Sequence, residues 1–567
     1  MRVVCVLFLI VTNLFGQQKE YPKDYFESPL DIPLHLSGSF GEIRTNHFHS
    51  GLDFKTKQAE GYNILSSAQG YVSRIKISAY GYGKAIYITH PNGYTTVYAH
   101  LQRFAEPIEE FVKKHQYKKK SFEVEIFPNA SELKVAKGDL IGYSGNSGSS
   151  GGPHLHFEIR DTKSENIINP FFFGIDKMVK DTQKPTLNKI WVYPVSEGAF
   201  ANKSEKPTVL NLALQKDGTY LSETVLANGE IGFGINTYDT ADFNSNKNGV
   251  YQIKTIVNGK EDFVITFDEF AFSETRYINA YIDYQKRIKE KSNVQKIFID
   301  ESYPLSLVAQ NKKSGMLNVT PNNSYTVTIQ VCDFHGNQTI ATIPVSYTSI
   351  PPVIQNKKPE KEFLLKAKIE NIYKKEHVTI QVPANTFYRD VAIDLKIDDN
   401  KITFGDSTVP VHKNYTIILK DEAIPKELRK KTYIGTVEGN KIKYNKTEVT
   451  DKEFKTKIRN CGTFTLVQDT VPPVVKLHNF KQGQWLSDKK ELKLTIEDAA
   501  SGIASYEVYI NGNWVLAEYD YKHKMLTHAF ADKKTIYGRN EVRIVVTDNV
   551  GNQTIVETHF NRVNGKE

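Results

Sequence analysis

Four short segments in the first third of the chain hold residues suited to metal-assisted chemistry. They are Phe48-His49-Ser50-Gly51-Leu52-Asp53, the run Thr95 to Leu101 carrying His100, the run Gly138 to Gly145, and Gly151-Gly152-Pro153-His154-Leu155-His156-Phe157-Glu158. His154 and His156 stand two apart in an apolar, β-prone run, so on a strand both imidazoles leave the same face and can share one site. His49 and Asp53 offer one nitrogen and one oxygen ligand on a short Gly-containing segment. Two His and one carboxylate around Zn2+ leave the fourth tetrahedral position to water, which is the plan of a catalytic zinc site. Zinc lowers the pKa of such a water to about 7 and polarises a scissile carbonyl. A further His then handles protons, since imidazole is the side chain best poised for that near neutrality.

These segments need a rigid frame, and the surrounding sequence predicts a β one. From about Gly38 to Gly174 the chain is Gly-rich, with short alternating runs such as Ala85-Ile86-Tyr87-Ile88 and a hairpin turn at Pro91-Asn92-Gly93. His90 belongs to that turn and is expected to face solvent. Between Leu101 and Gly138 the pattern breaks: Ile108 to Lys114 reads as a short amphipathic helix, and Lys118-Lys119-Lys120 as a solvated loop. His47 lies outside the His-x-Gly-x-Asp frame and either supports a ligand from behind or is a bystander. Glu158 shares the face of the two His, either supporting a ligand or forming a plain salt bridge.

The joint order of His-Ser-Gly-Leu-Asp, Tyr-Ala-His-Leu and Gly-Pro-His-Leu-His-Phe-Glu resembles the lysostaphin-type zinc endopeptidases, which cleave peptide bonds of bacterial peptidoglycan. Ala68-Gln69-Gly70-Tyr71-Val72, Tyr82-Gly83 and Gly142-Tyr143-Ser144-Gly145 fit the same family. The resemblance covers about residues 38–160. It implies a small antiparallel β-sheet domain binding one Zn2+ through His49, Asp53 and His156. It further implies His154 as the general base and His100 as its partner, positioning water or substrate and stabilising the oxyanion. The Leu101–Gly138 connection is longer than the usual family form, and it is the segment expected to alter the groove wall.

The remaining sequence reads as all-β and non-catalytic. Asp181-Thr182-Gln183-Lys184-Pro185 recurs as Asp469-Thr470-Val471-Pro472-Pro473, Asp239 answers Asp498, and Val331–Thr339 matches Val546–Thr554 at six of nine positions. The closing Asp333 and Asp548 suit tight turns that Asp caps. The two copies resemble bacterial immunoglobulin-like modules of cell-surface proteins, which implies one such module with insertions at 181–348 and one at 469–563, with a linker at 349–362 and a further β-rich module at 363–468. Asp498, Asp548 and Asn549 are read as turn caps in preference to a Ca2+ site, because six clustered oxygen ligands are not visible.

At the N-terminus, Arg2 and the apolar run Val3 to Phe15 predict a cleavable export signal over 1–16, followed by a lead-in at 17–35 and the peptidase domain at 36–176. Localisation is then periplasmic, in the cell envelope or extracellular. No later stretch reaches 18 apolar residues, so no transmembrane span is expected. The net charge of +8 is spread thinly (residues 17–175 hold 18 basic and 17 acidic side chains), which argues against nucleic acid as a partner. Export permits a Cys332–Cys461 disulfide without deciding it. The leading expectation is a zinc endopeptidase acting on peptidoglycan stems or cross-bridges, with the β modules holding an envelope partner. The alternatives are a catalytically silent adhesin or scaffold and a peptidase acting on proteins.

Overall fold

The computed structural model describes residues 19–563 apart from 244, 301–302, 310–313, 353–360 and 399–400. The expected export signal lies outside the described residues, as does most of the expected linker. The architecture is nearly all β, as the alternation predicts. The strands that frame the candidate site are β1 (Leu36–Gly38), β2 (Leu52–Lys55), β3 (Gly70–Ile77), β4 (Lys84–Thr89), β5 (Tyr94–Leu101), β6 (Val124–Ile126) and β7 (His154–Asp161). They pair antiparallel in the spatial order β1-β2-β7-β5-β4-β3-β6. In β7 the alternation is direct: Leu155, Phe157 and Ile159 are fully buried in the core, and His154, His156, Glu158 and Arg160 take the other face.

The helix α1 runs over Ile108–Lys119 and is longer than its sequence suggested. Buried Ile108, Val112 and Gln116 carry the i, i+4 stripe past Lys114, and Lys118 and Lys119 fall in the last turn, where cations favour the helix dipole. The three lysines thus close a helix instead of forming a loop. His90 also departs from expectation: it is 3% exposed, with Nδ1 2.8 Å from the Gln69 carbonyl and Nε2 2.8 Å from Thr96 Oγ1. Both ring nitrogens find partners beneath Tyr25 and Phe26 of the N-terminal lead-in, which a turn pattern alone does not reveal.

One continuous apolar core runs from Phe26 through the site domain to Val345 and includes Leu516. The boundary is bridged by a strand pair: Ile167 and Ile168 hydrogen-bond opposite Phe270 and Glu269. Residues 365–464 enclose their own core between sheets, as do residues 480–560 between two four-stranded sheets. The run Val391 to Ile397, a single strand by sequence, divides at Asp394 into Val391–Ile393 and Leu395–Asp398, which join different sheets. Cys332 and Cys461 are free thiols. The last module folds back onto the first domain: Tyr117 Oη donates to Asp532 at 2.6 Å, and Lys84 Nζ pairs with Glu518 at 2.7 Å.

Burial pushes the His90 imidazole down to about 4 from 6.5. The unfolded chain therefore binds a proton below pH 6.5 that the folded chain refuses, so this stability is present above pH 6.5 and lost as pH falls toward 4. Urea denaturation at pH 7 and pH 5 tests this. The native chain is expected to lose about 2 kcal/mol more than a His90→Gln variant over that interval.

Candidate active site

Two adjacent strands and one loop assemble the ligands. In the β2–β7 ladder His156 lies directly opposite Asp53, so both side chains rise from neighbouring positions on one face. His49 reaches the same point from the segment before β2, which must pass close over β7. A Cβ on Gly51 would stand 2.3 Å from the Phe157 carbonyl oxygen, so only glycine lets it pass. The result is tight: His49 Nε2 lies 3.0 Å from Asp53 Oδ1, His156 Nδ1 lies 2.9 Å from the same oxygen, and the two nitrogens are 3.0 Å apart. All three residues are buried at the floor of an open groove.

The partners of the remaining ring nitrogens fix the protons. His49 Nδ1 donates to the Ser39 carbonyl at 2.7 Å, and His156 Nε2 donates to Glu158 Oε1 at 2.8 Å. Each imidazole therefore turns a bare lone pair toward Asp53 Oδ1. Two nitrogen lone pairs and a carboxylate oxygen converge with no donor between them, which is a cation site by its donor set, and N,N,O ligation with an open side fits zinc. In a cation-free chain a proton takes that place: burial lowers the His156 pKa, but hydrogen bonds with Asp53 and Glu158 outweigh it and carry it up to about 9. Burial alone would raise the Asp53 carboxyl, yet the adjacent His49, and then His154 and His156, hold it well below the carboxylate range.

Glu158 does both things its sequence position allowed. Its Oε1 accepts from His156, from Ser50 Oγ at 2.6 Å and from Tyr82 Oη, while Oε2 accepts from Arg160 Nε at 2.7 Å. It is fully buried, and burial would neutralise it. The Arg160 guanidinium and the His156 hydrogen bond instead keep it ionised far below the normal range. Arg160 continues the two-residue repeat of β7 (His154, His156, Glu158, Arg160), and that repeat was the signal that could have identified it. Tyr82 has no such periodic signal.

The other two imidazoles flank the centre. His154 donates Nδ1–H to the Gly152 carbonyl at 2.8 Å, which leaves Nε2 as an acceptor 3.4 Å from Asp53 Oδ1. His100 should point away by strict alternation, because its neighbour Ala99 pairs with His156. A β-bulge corrects this: Ala99 and His100 oppose Ala85 between the pairs Lys84–Leu101 and Ile86–Tyr98, and His100 takes φ +61°. Its Nδ1 donates to the Ser147 carbonyl at 2.9 Å, and its ring lies 4.9 Å from that of His154. Burial and then the neighbouring imidazoles push His100 down to about 3, so it is neutral. The loop carrying Ser147 sits close against the Gly81–Gly83 turn; a Cβ on Gly148 would meet Gly81 O and Gly83 N at 2.3 Å.

The groove above measures about 900 Å3 and is lined by Arg44, Arg74, Lys76, Tyr80, Tyr82 and Tyr87 along with the site residues. His47 lies on its rim, outside the ligand cluster, with Nδ1 donating to Thr45 O. The long Leu101–Gly138 connection does not wall the groove: none of the described residues 101–138 lines it, and α1 instead contacts the last module through Tyr117, Asp532 and Trp514. The walls that other modules do supply were not legible in sequence. Phe272 and Thr275 close one side. The last module backs two lining residues from behind: Tyr521 packs on Tyr80 (centroids 4.4 Å), and Lys522 Nζ donates to the Ser150 carbonyl at 2.8 Å. The first module also steadies the His49 segment. Thr275 Oγ1 accepts from Phe48 N at 2.8 Å, and Gly249 N donates to Ser39 Oγ at 2.8 Å.

Residues 47–117 and 127–170 match peptidase family M23, the unmatched interval falling at the end of α1 and just after it; residues 362–469 match a Zu5-like domain. Among curated relatives, the DD-carboxypeptidase/endopeptidase Mpg of Neisseria meningitidis serogroup B is 33% identical over 118 residues, 21% of each chain. The peptidoglycan DD-endopeptidase ShyA of Vibrio cholerae is 31% identical over 137 residues, 23% of this chain and 26% of its own. The match thus spans only a fifth to a quarter of these relatives. The catalytic domain of lysostaphin from Staphylococcus simulans aligns at 23% identity over 24% of this chain and 89% of that domain, with TM-score 0.18.

Two substitutions probe this geometry. Glu158→Gln removes the anionic acceptor behind His156 and is expected to weaken zinc binding about 10–100-fold, read by competition with a chromogenic chelator. At His100 the left-handed backbone reverses the usual preference for alanine: His100→Gly is expected to be more stable than His100→Ala by about 1 kcal/mol in urea denaturation.

Proposed function

Residues 47–170 make up a peptidase family M23 domain, and from that premise we propose that the chain is an exported, zinc-dependent endopeptidase that hydrolyses peptide cross-links of bacterial peptidoglycan. The observation that carries this reading is the convergence of His49, Asp53 and His156 on one point, with the imidazoles of His100 and His154 beside them in an open groove. The names of the Neisseria and Vibrio relatives support peptidoglycan as the substrate class.

A Zn2+ held by His49, Asp53 and His156 supplies polarisation of the scissile carbonyl and acidification of the attacking water. The chain's own residues do the rest. His154 and His100 both present Nε2 lone pairs toward the site, because Gly152 and Ser147 hold the protons on the Nδ1 atoms. Two acceptors on one side orient a water by both of its hydrogens. His154 takes the proton as the water attacks and returns it to the leaving amine. His100, with its Nδ1 proton committed to Ser147 and only a lone pair at Nε2, acts as the second acceptor that positions the water; the oxyanion role expected of it needs an Nε2 proton that this transfer does not supply. Of the cations lining the groove, Arg44 pairs with Glu42 and Asp53, Arg74 with Glu125 and Arg160 with Glu158, which makes Lys76 the lining cation best suited to a carboxylate of a peptide stem. The β modules, including the pair of immunoglobulin-like type, shape the groove and offer surface for an envelope partner.

The test is digestion of purified sacculi by the full mature chain, with muropeptides identified by mass spectrometry. Cross-linked dimers are expected to fall as monomers rise, with loss on chelation and recovery on adding zinc. His154→Ala is expected to reduce the rate about 10²–10⁴-fold. Activity that survives chelation, or cleavage of proteins but not of sacculi, contradicts the proposal.

A further inference from the structure

Three aspartates meet where the site domain gives way to the first β module. Asp181 follows the short 3-10 turn Ile175–Met178, Asp239 follows the strand Val225–Tyr238, and Asp333 follows the strand Ser324–Cys332. One carboxylate oxygen from each lies within 4.8 Å of the other two. The surroundings are dry: Asp239 and Asp333 are 6% and 4% exposed, and the Asp181 side chain is 5% exposed. Turn capping explains two of the three. Asp333 accepts from Asn337 N at 2.8 Å and Asn337 Nδ2 at 2.7 Å, and Asp181 accepts from Gln183 N at 3.0 Å. It does not explain Asp239, whose Oδ1 is buried with no hydrogen-bond donor.

The second copy of the module provides an internal reference. Asp469, Asp498 and Asp548 converge in the same way, and Asn552 Nδ2 bonds to Asp548 Oδ2 and the Asp469 carbonyl just as Asn337 Nδ2 bonds to Asp333 Oδ2 and the Asp181 carbonyl. There, however, the middle carboxylate is satisfied: Asp498 Oδ1 accepts from Ala500 N at 3.1 Å and Gly502 N at 2.7 Å. Asp239, its counterpart, lacks both donors. The first copy therefore keeps a buried, all-oxygen carboxylate cluster with an unmet acceptor; burial, then the Asp181 and Asp333 charges, push the Asp239 carboxyl up to about 8, so a proton neutralises it near pH 7 unless a cation takes that place. The basic group facing the cluster is His335, 4.0 Å from Asp181 and drawn away by the Asp176 carbonyl.

We propose that Asp181, Asp239 and Asp333 bind a hard divalent cation, Ca2+, at this joint. Carboxylate oxygens without nitrogen or sulfur select Ca2+ over the softer zinc of the active site. The cation ties the end of the first domain to two strand ends of the module. That module also holds Ser39 and Phe48, on either side of the His49 segment, through Gly249 and Thr275. The proposal does not depend on the peptidase reading.

The test uses the zinc-loaded full chain desalted into calcium-free buffer and titrated with CaCl2 by calorimetry, with thermal unfolding in parallel. Saturable binding of one Ca2+ is expected, with a dissociation constant of about 10⁻⁴–10⁻³ M as in extracellular modules, and a melting temperature that rises with it. Asp239→Asn is expected to weaken binding at least about tenfold, whereas Asp498→Asn in the second copy leaves it intact. Should Asp239→Asn misfold, native mass spectrometry of the unaltered chain counts the bound calcium. No heat and no shift in melting temperature up to about 10 mM CaCl2, well above that range, overturns the proposal. So does binding that responds to Asp498→Asn but not to Asp239→Asn.

Discussion

Everything at the catalytic centre depends on where four imidazole protons are kept. His49, His100, His154 and His156 each spend one ring nitrogen on an acceptor outside the centre: the Ser39, Ser147 and Gly152 carbonyls and the Glu158 carboxylate. Each can then present only a lone pair inward. Without those acceptors the rings could adopt either tautomer and the centre would lose its uniform polarity. Most of the local architecture secures these acceptors. The loop around Ser147 is pressed against a glycine turn, the β5 bulge swings His100 inward, and Ser39 is clamped by the next module. The most demanding acceptor is Glu158, a fully buried anion. It is tolerable because the Arg160 guanidinium, Ser50, Tyr82 and His156 together occupy its oxygens.

The same constraint explains why the site domain is so entangled with the modules that follow it. A short segment such as 47–53 has too few internal contacts to hold His49 to a fraction of an ångström. Here Thr275 and Gly249 supply hydrogen bonds, and Phe48 packs on Phe267, Phe270 and Tyr281. The last module supports two groove-lining residues, Tyr80 through Tyr521 and Ser150 through Lys522. The long connection after His100 serves this docking: its helix presents Tyr117 and Lys113 to Asp532.

What the sequence made legible and what it hid divide along physical lines. The candidate residues were legible because their geometry is local, a two-residue repeat on a strand and a fixed frame around one glycine, while their division into ligands and proton carriers came with the resemblance. The all-β character followed from alternation and turn residues. His90 was misjudged because its burial comes from the N-terminal lead-in, which no pattern near residue 90 encodes. The helix end was misplaced because three lysines look solvated whether or not they close a helix. The bulge at His100, the module contributions to the groove and the convergence of Asp181, Asp239 and Asp333 all arise from long-range packing. The repeat hinted at the last of these, but it could not reveal that Asp239 lacks the backbone donors its counterpart enjoys.

The strand pair joining Ile167–Ile168 to Glu269–Phe270 has one further consequence. Because the neighbouring module completes both the sheet and the apolar interior of the first domain, proteolytic trimming after about residue 175 would not liberate a self-sufficient fragment. It would bare Phe48, Phe171 and Phe172, which pack on Phe267, Phe334 and Tyr251 of the module, together with an unpaired β edge, surfaces that invite aggregation. The domain is in effect welded to its neighbour.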